Sequence, residues 1–162
     1  MKFFLPLLMI VFSASLAIGQ DDDYTAGHKG WLVDLDEAYE QSKETGKPIL
    51  ANFTGSDWCR WCKRLSAAVF VKPEFQKWAK ENVILLELDF PKRTSVPDEI
   101  KAQNSKLQRA FKVRGFPTIW VFELDKEKGT DEMKINALGK TGYKSSVDEF
   151  IGDIERMLAK AG

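Results

Sequence analysis

The chain's two cysteines stand three residues apart, in Trp58-Cys59-Arg60-Trp61-Cys62. An apolar run over residues 48–53 precedes them and reads as a buried strand. Residues 63–70 come next and read as a helix. This spacing sets Cys59 at a helix N-terminus and Cys62 one turn in. The unpaired N–H groups and positive dipole end there favour a thiolate over a thiol. The second thiol is then near enough to close a disulfide with the first, which is the arrangement of a reversible dithiol switch. Cys59 is the expected nucleophile, as the more exposed member, and Arg60 adds a cation beside it that favours the thiolate further. Cys62 is the expected buried, resolving thiol. A passive bridge is the plainer alternative, but so short a ring constrains little of the unfolded chain. Two thiols are half of what a zinc site needs, and the one histidine, His28, falls in a polar segment. Neither a metal nor an organic cofactor is expected beyond the Cys59–Cys62 pair itself.

Residues 1–19 are a different kind of segment. Lys2 precedes an apolar stretch that ends in Ala17-Ile18-Gly19, the pattern of a secretory signal peptide with a cut before Gln20. An uncleaved anchor is the alternative, disfavoured because the stretch is short. Export, to a periplasm or to the outside, places the protein where disulfides persist. Residues 20–162 amount to one domain's length of chain. Across the whole sequence 24 basic and 24 acidic residues balance, which leaves no electrostatic footprint for nucleic acid. No second long apolar segment occurs, so a soluble protein, expected as a monomer, is left after cleavage.

The elements that must position the cysteines can be read from periodicity. Residues 20–30, opening with Asp21-Asp22-Asp23, read as a flexible acidic lead-in to a domain over 31–162. Residues 31–33 form a short strand, 34–45 an amphipathic helix stopped by Gly46, and 48–53 the first central strand. The turn 54–57 delivers the chain to the dithiol helix, which extends to Phe70. Pro73 starts a second short helix. Residues 83–90 are apolar except at Glu87 and Asp89, and read as a strand buried on both faces, hence parallel. A helix over 97–112, an antiparallel strand pair at 118–124 and 133–138, a loop at 139–142 and a closing helix over 145–160 complete the order β-α-β-α-β-α-β-β-α.

That order, with Trp58-Cys59-Arg60-Trp61-Cys62-Lys63 after an early central strand and Val113-Arg114-Gly115-Phe116-Pro117-Thr118 later, resembles the thioredoxin family. Leu88-Asp89 at a strand end and glycines 139 and 142 before the last helix add to the likeness, which covers residues 31–160. The resemblance implies an α/β thioredoxin fold, a central mixed sheet flanked by helices. It implies exchange of disulfides with protein thiols and with a redox partner protein. It also implies that Pro117 is a cis proline facing the dithiol. The backbone of Phe116 would then be presented to an extended substrate, with Trp58, Trp61 and Phe116 as an apolar rim.

Between the cysteines the family's members carry pairs such as Gly-Pro or Gly-His. Arg60-Trp61 matches neither, so Arg60 is a tuning position. The family buries an Asp on the strand before the dithiol, where it accepts the resolving thiol's proton. The matching position here is Asn52, which cannot titrate. Glu87, the carboxylate inside the next apolar strand, is the candidate that takes over that role, unless it faces a solvated edge. The function expected is an exported thiol–disulfide oxidoreductase acting as a reductase. The alternatives are a disulfide oxidase or isomerase, or a non-catalytic module of the same fold that holds polypeptides as a chaperone.

Overall fold

The computed structural model describes residues 24–126 and 133–160. The signal segment and the start of the lead-in lie outside the described residues. The first helix, α1 (Leu35–Thr45), begins where the Asp34 side chain accepts the amide of Glu37. It ends where Gly46, at φ 70°, turns the chain in the left-handed region. Strand β1 (Ile49–Thr54) comes next and is buried along its whole length, because both of its faces are covered. The dithiol helix α2 (Arg60–Leu65) continues without a break into a π-helical segment, Ser66–Phe70. Pro73 then opens α3 (Pro73–Asn82) at a position where no amide donor is needed.

Strand β2 (Ile84–Asp89) lies parallel to β1, and β3 (Thr118–Lys126) lies antiparallel on β1's other side. Strand β4 (Met133–Thr141) pairs antiparallel with β3, giving the sheet order β2-β1-β3-β4. Helix α4 (Asp98–Ala110) connects β2 to β3, and α5 (Val147–Leu158) closes the chain. Two cores sandwich the sheet. On one face Leu50, Ile119 and Val121 pack with Leu65, Phe70, Phe75 and Phe150. On the other face Ala51, Phe53 and Leu88 pack with Tyr39, Leu107 and Phe111. Phe53, Phe70, Phe75, Phe122 and Phe150 are all fully buried, and truncating any of them to Ala costs about 3–5 kcal/mol.

Three expectations need correction. Residues 31–33 form only a single parallel bridge, Leu32 to Leu86, rather than a strand, and β2 is the outer strand of the sheet. Residues 139–142 are mostly strand: β4 runs on to Thr141, and Gly139 is there to admit α5. A Cβ at Gly139 would lie 2.7 Å from Cγ of Met157. Of the lead-in, Gly27 and His28 are tied to Glu87 of β2 and to Ser66 after the dithiol helix, through hydrogen bonds that the polarity of this segment concealed.

Candidate functional site

The sheet topology gathers the site at one end. Strands β1 and β2 run parallel and β3 runs against them. The C-terminal ends of β1 and β2 therefore meet the N-terminal end of β3. The Phe90 amide donates to the Thr54 carbonyl at 2.9 Å, holding the first two ends together. From Thr54 the chain turns at Gly55, whose carbonyl accepts the amides of Trp58 and Cys59. The Trp58 indole packs against this glycine, and a Cβ there would stand 2.5 Å from the ring. The indole N–H donates to the Phe90 carbonyl at 2.9 Å, and the ring meets Phe116 edge-on at 5.9 Å. Phe116 in turn stacks on Phe90 at 5.1 Å.

Cys59 is the N-cap of α2, and its Sγ accepts the Cys62 amide at 3.2 Å. The two are joined as a disulfide, with Cα atoms 5.3 Å apart. Each is only 5% exposed, so Cys59 is not the more exposed of the pair in this oxidised form. The asymmetry between them is one of position: Cys59 sits where an amide points at its sulfur, and Cys62 sits inside the helix. The aromatic side chains beside them stand out instead. Trp58 is 41% exposed and Trp61 49%, against 7% for Trp31 in the core. Trp61 meets Tyr143 at 5.0 Å and lies under the Arg64 guanidinium at 4.7 Å, while Lys92 caps the Trp58 ring at 4.5 Å. Arg60 is exposed.

The Phe116–Pro117 peptide bond is cis, immediately before β3. Phe53 is in register with Thr118, so Pro117 stands at the same sheet end as the turn to the cysteines. A Cβ on Gly142 would reach within 3.7 Å of the Pro117 carbonyl oxygen, which places the end of β4 beside it.

A polar cluster lies on the sheet face that carries the dithiol helix. Asn52 and Glu87 are register partners across β1 and β2, and both are buried. Glu87 does not point to a solvated edge. Its carboxylate accepts the Gly27 amide at 2.8 Å and lies 3.3 Å from Nδ1 of His28. His28 Nε2 lies 2.5 Å from Ser66 Oγ. Asp89, two residues along the same face, accepts the Ser56 amide at 2.8 Å and the Ser56 hydroxyl at 2.5 Å. Burial pushes its carboxyl pKa up, an effect that the Ser56 bonds oppose. Tyr24 is pushed up to about 12, first by burial and then by the charges of Asp89 and Glu87. Asn52 Oδ1 has no hydrogen-bond partner among the described residues.

Asp57 works outside this cluster. Its carboxylate collects the amides of Lys92 and Arg93, pinning the loop after β2 to the dithiol turn. The Lys92 amide is the first of the bonds that hold its pKa below the ordinary value.

The site residues read from the sequence thus fall into two groups. Cys59, Cys62, Trp58, Trp61, Phe116 and Pro117 meet at the sheet end. Asn52 and Glu87 lie together beneath α2. Sequence reasoning missed His28, Tyr24 and Ser66. The partners of His28 are far away in the chain: Ser66 is 38 residues on and Glu87 is 59. The one available signal was a histidine in a segment otherwise unsuited to packing. Among the described residues no group of three His, Cys, Asp or Glu side chains is placed to hold a metal ion.

A sheet of this order, helices on both faces, and a disulfide at a helix head at the same sheet end as a cis proline define a thioredoxin-fold dithiol protein. The chain belongs to the thioredoxin-like family, whose thioredoxin-like domain model matches residues 35–134. It is 37% identical over 111 residues to the disulfide bond reductase DsbH of Chlamydia pneumoniae, covering 68% of this chain and 66% of that protein. It is 33% identical over 87 residues to the thioredoxin-related protein DsbJ of the same organism, over 54% of this chain and 25% of that one. The chain therefore spans less than two thirds of the length of either relative. Among solved structures, a DsbH oxidoreductase superposes with a TM-score of 0.70 at 29% identity, over 88% of this chain and 92% of that one. A thioredoxin from Thermus thermophilus shares the fold, with a TM-score of 0.56 at 17% identity over 79% of this chain and 86% of that one.

Proposed function

We propose that this protein is an exported thiol–disulfide oxidoreductase that reduces disulfides in protein partners. The observation that carries the reading is the Cys59–Cys62 disulfide at the head of α2, at the sheet end where Pro117 also lies. The reduced Cys59 thiolate attacks a partner disulfide. A Cys59–partner disulfide forms and one partner sulfur leaves as a thiolate. Cys62 then attacks Cys59, re-forming the internal disulfide and releasing the second partner thiol. A redox partner protein returns two electrons by the same exchange in reverse. Similarity to a protein named as a disulfide bond reductase supports the direction. Residues 1–19 supply the export signal, and the mature chain acts as a monomer in a periplasm or outside the cell.

Within this reading each site residue has a task. Trp58, Trp61 and Phe116 offer apolar surface to a flexible polypeptide, and the Phe116–Pro117 backbone docks an extended segment of it. Arg60 favours the Cys59 thiolate. Glu87 is the base toward which the Cys62 proton moves, in the place where a titrating residue at Asn52 is missing. The exposed indoles also favour a second reading, a polypeptide-holding module that needs no thiol chemistry.

One experiment separates the readings. Insulin disulfide reduction is monitored with the native protein and with a variant in which both cysteines are serine, alongside suppression of aggregation of an unfolded protein. Loss of reduction in the variant supports the oxidoreductase. Retained holding activity, with no reduction by the native protein, supports the module. A reduction potential well above that of thioredoxin-type reductases would reverse the assigned direction to oxidase or isomerase.

A further inference from the structure

Under the dithiol helix three side chains from distant parts of the chain stand in line. Glu87 Oε2 lies 3.3 Å from His28 Nδ1, and His28 Nε2 lies 2.5 Å from Ser66 Oγ. We propose that Ser66 and His28 form a proton relay that carries the Cys62 proton toward Glu87 during release of the partner. The proposal rests on the reading of Cys62 as the resolving thiol.

The helix brings the relay to the sulfur. Ser66 is four residues after Cys62, and its amide donates to the Cys62 carbonyl, so the two side chains share one helix face. Helical side chains lean toward the N-terminus, which tips the Ser66 hydroxyl over the turn that holds Cys62. The π-helical segment begins at Ser66 itself, a local departure of the kind often found at functional sites.

Donors and acceptors then line up in one direction. With the proton on Nδ1, His28 donates to Glu87, and Nε2 accepts the Ser66 hydroxyl proton. The Ser66 oxygen then has lone pairs left for a donor on the same helix face, where the Cys62 thiol lies once the disulfide is reduced. Glu87 is 5% exposed, and among the described residues its only ion-pair partner is His28. A proton arriving on Nε2 creates an imidazolium beside a carboxylate that has no Lys or Arg. The rings of Trp31 and Phe70 lie beside the imidazole, and the charged or titratable groups near Glu87 are Asp89 on the same strand and Tyr24, which feels both carboxylates. None of them is cationic.

The step balances. Cys62 passes its proton to Ser66 Oγ as the Ser66 proton moves to His28 Nε2. The Cys62 thiolate attacks Cys59 Sγ, the Cys59–Cys62 bond forms, and the Cys59–partner bond breaks. Its electron pair leaves on the partner sulfur, which takes a proton from solvent. The His28 side chain is 23% exposed, so the imidazolium can return its proton to solvent. Cys62 is 5% exposed and has no comparable outlet of its own.

The test tracks the decay of a Cys59–peptide mixed disulfide by rapid mixing across pH, using the full mature chain. His28→Gln and Ser66→Ala are expected to slow this decay by about 10²-fold near neutral pH. Both should leave formation of the mixed disulfide unchanged, and His28→Gln should remove an inflection from the pH profile. Ser66→Thr, which keeps the hydroxyl, should resolve at the native rate, and added imidazole should speed His28→Gly. Native decay rates and an unaltered pH profile in both His28→Gln and Ser66→Ala would overturn the relay while leaving the oxidoreductase standing. Failure of the native protein to form any mixed disulfide would overturn the oxidoreductase reading, and the relay with it.

Discussion

Asn52 and Glu87 face each other in register across β1 and β2, yet only one of them is engaged. The Glu87 carboxylate is held by the Gly27 amide and by His28, whereas Asn52 Oδ1 is buried and without a partner among the described residues. The titrating member of the pair therefore sits on the outer strand, reached from the segment before α1 rather than from β1.

Replacing Glu87 should separate the two chemical steps. Glu87→Gln keeps the size of the side chain and removes the base. Release of the partner should slow by about 10²-fold near neutral pH, with attack by Cys59 little changed. Asn52→Asp added to that variant should recover part of the loss, because it puts a carboxylate at the register partner of position 87. Single-turnover kinetics of the two steps check both outcomes. An unchanged release rate in Glu87→Gln would remove Glu87 from the mechanism.

The cysteines should differ in reactivity once reduced. Cys59 caps α2 and its sulfur accepts an amide, which favours the thiolate, whereas Cys62 lies within the helix. A small alkylating probe at neutral pH should modify Cys59 faster by about tenfold or more. Mass spectrometry of the partly labelled protein reads the ratio. Equal labelling would exchange or erase the assigned roles. Cys62→Ser should correspondingly accumulate mixed disulfides, and Cys59→Ser should form none.

Tyr24 links stability to alkaline pH. Its pKa is raised from 10.0 to about 12 in the folded protein. Between these values the folded chain holds a proton that the unfolded chain has lost. Stability is thus unaffected by this group below pH 10 and falls as the pH rises from 10 toward 12. Urea unfolding across that range should show the decline, and Tyr24→Phe should flatten it. An identical slope in Tyr24→Phe would show that the ring is not packed beside Asp89 and Glu87.

Gly55 carries a steric prediction. A Cβ there meets the Trp58 ring at 2.5 Å, and Trp58 is also tied to the Phe90 carbonyl. Gly55→Ala should cost about 1–3 kcal/mol, as forced overpacking does, and should move the Trp58 indole off its site. Denaturant unfolding measures the cost. A shift in fluorescence that is absent when Trp58 is already Phe assigns it to that ring.

Much of the sheet end was legible because its signals are local. The two cysteines, the turn at Gly55 and the Phe116-Pro117 pair declare themselves within a few residues each. The helices α1 and α3 were likewise marked by Asp34, Gly46 and Pro73. The polar cluster was not legible in this way. His28 lies in a stretch whose polarity reads as solvated, and its partners come from β2 and from the dithiol helix. The fate of Gly139 was hidden for a similar reason. A glycine near a chain turn reads as a loop, and only the approach of Met157 shows why a strand needs one there.

The two outer strands of the sheet bear on how this protein avoids its own kind. Strand β2 carries the Leu32 bridge on its free side, with the Leu32 amide donating to Leu85 and the Glu87 amide donating to Leu32. Strand β4 shifts register opposite Val121 and Phe122 and exposes Lys134 and Lys140 along its length. One border is thus partly occupied and the other is bulged and charged, each a defence against edge-to-edge pairing. If the protein meets extended polypeptides, as proposed above, these borders make it poorly suited to being recruited into their aggregates. Contact with such chains would then fall to the aromatic end of the sheet rather than to its flanks.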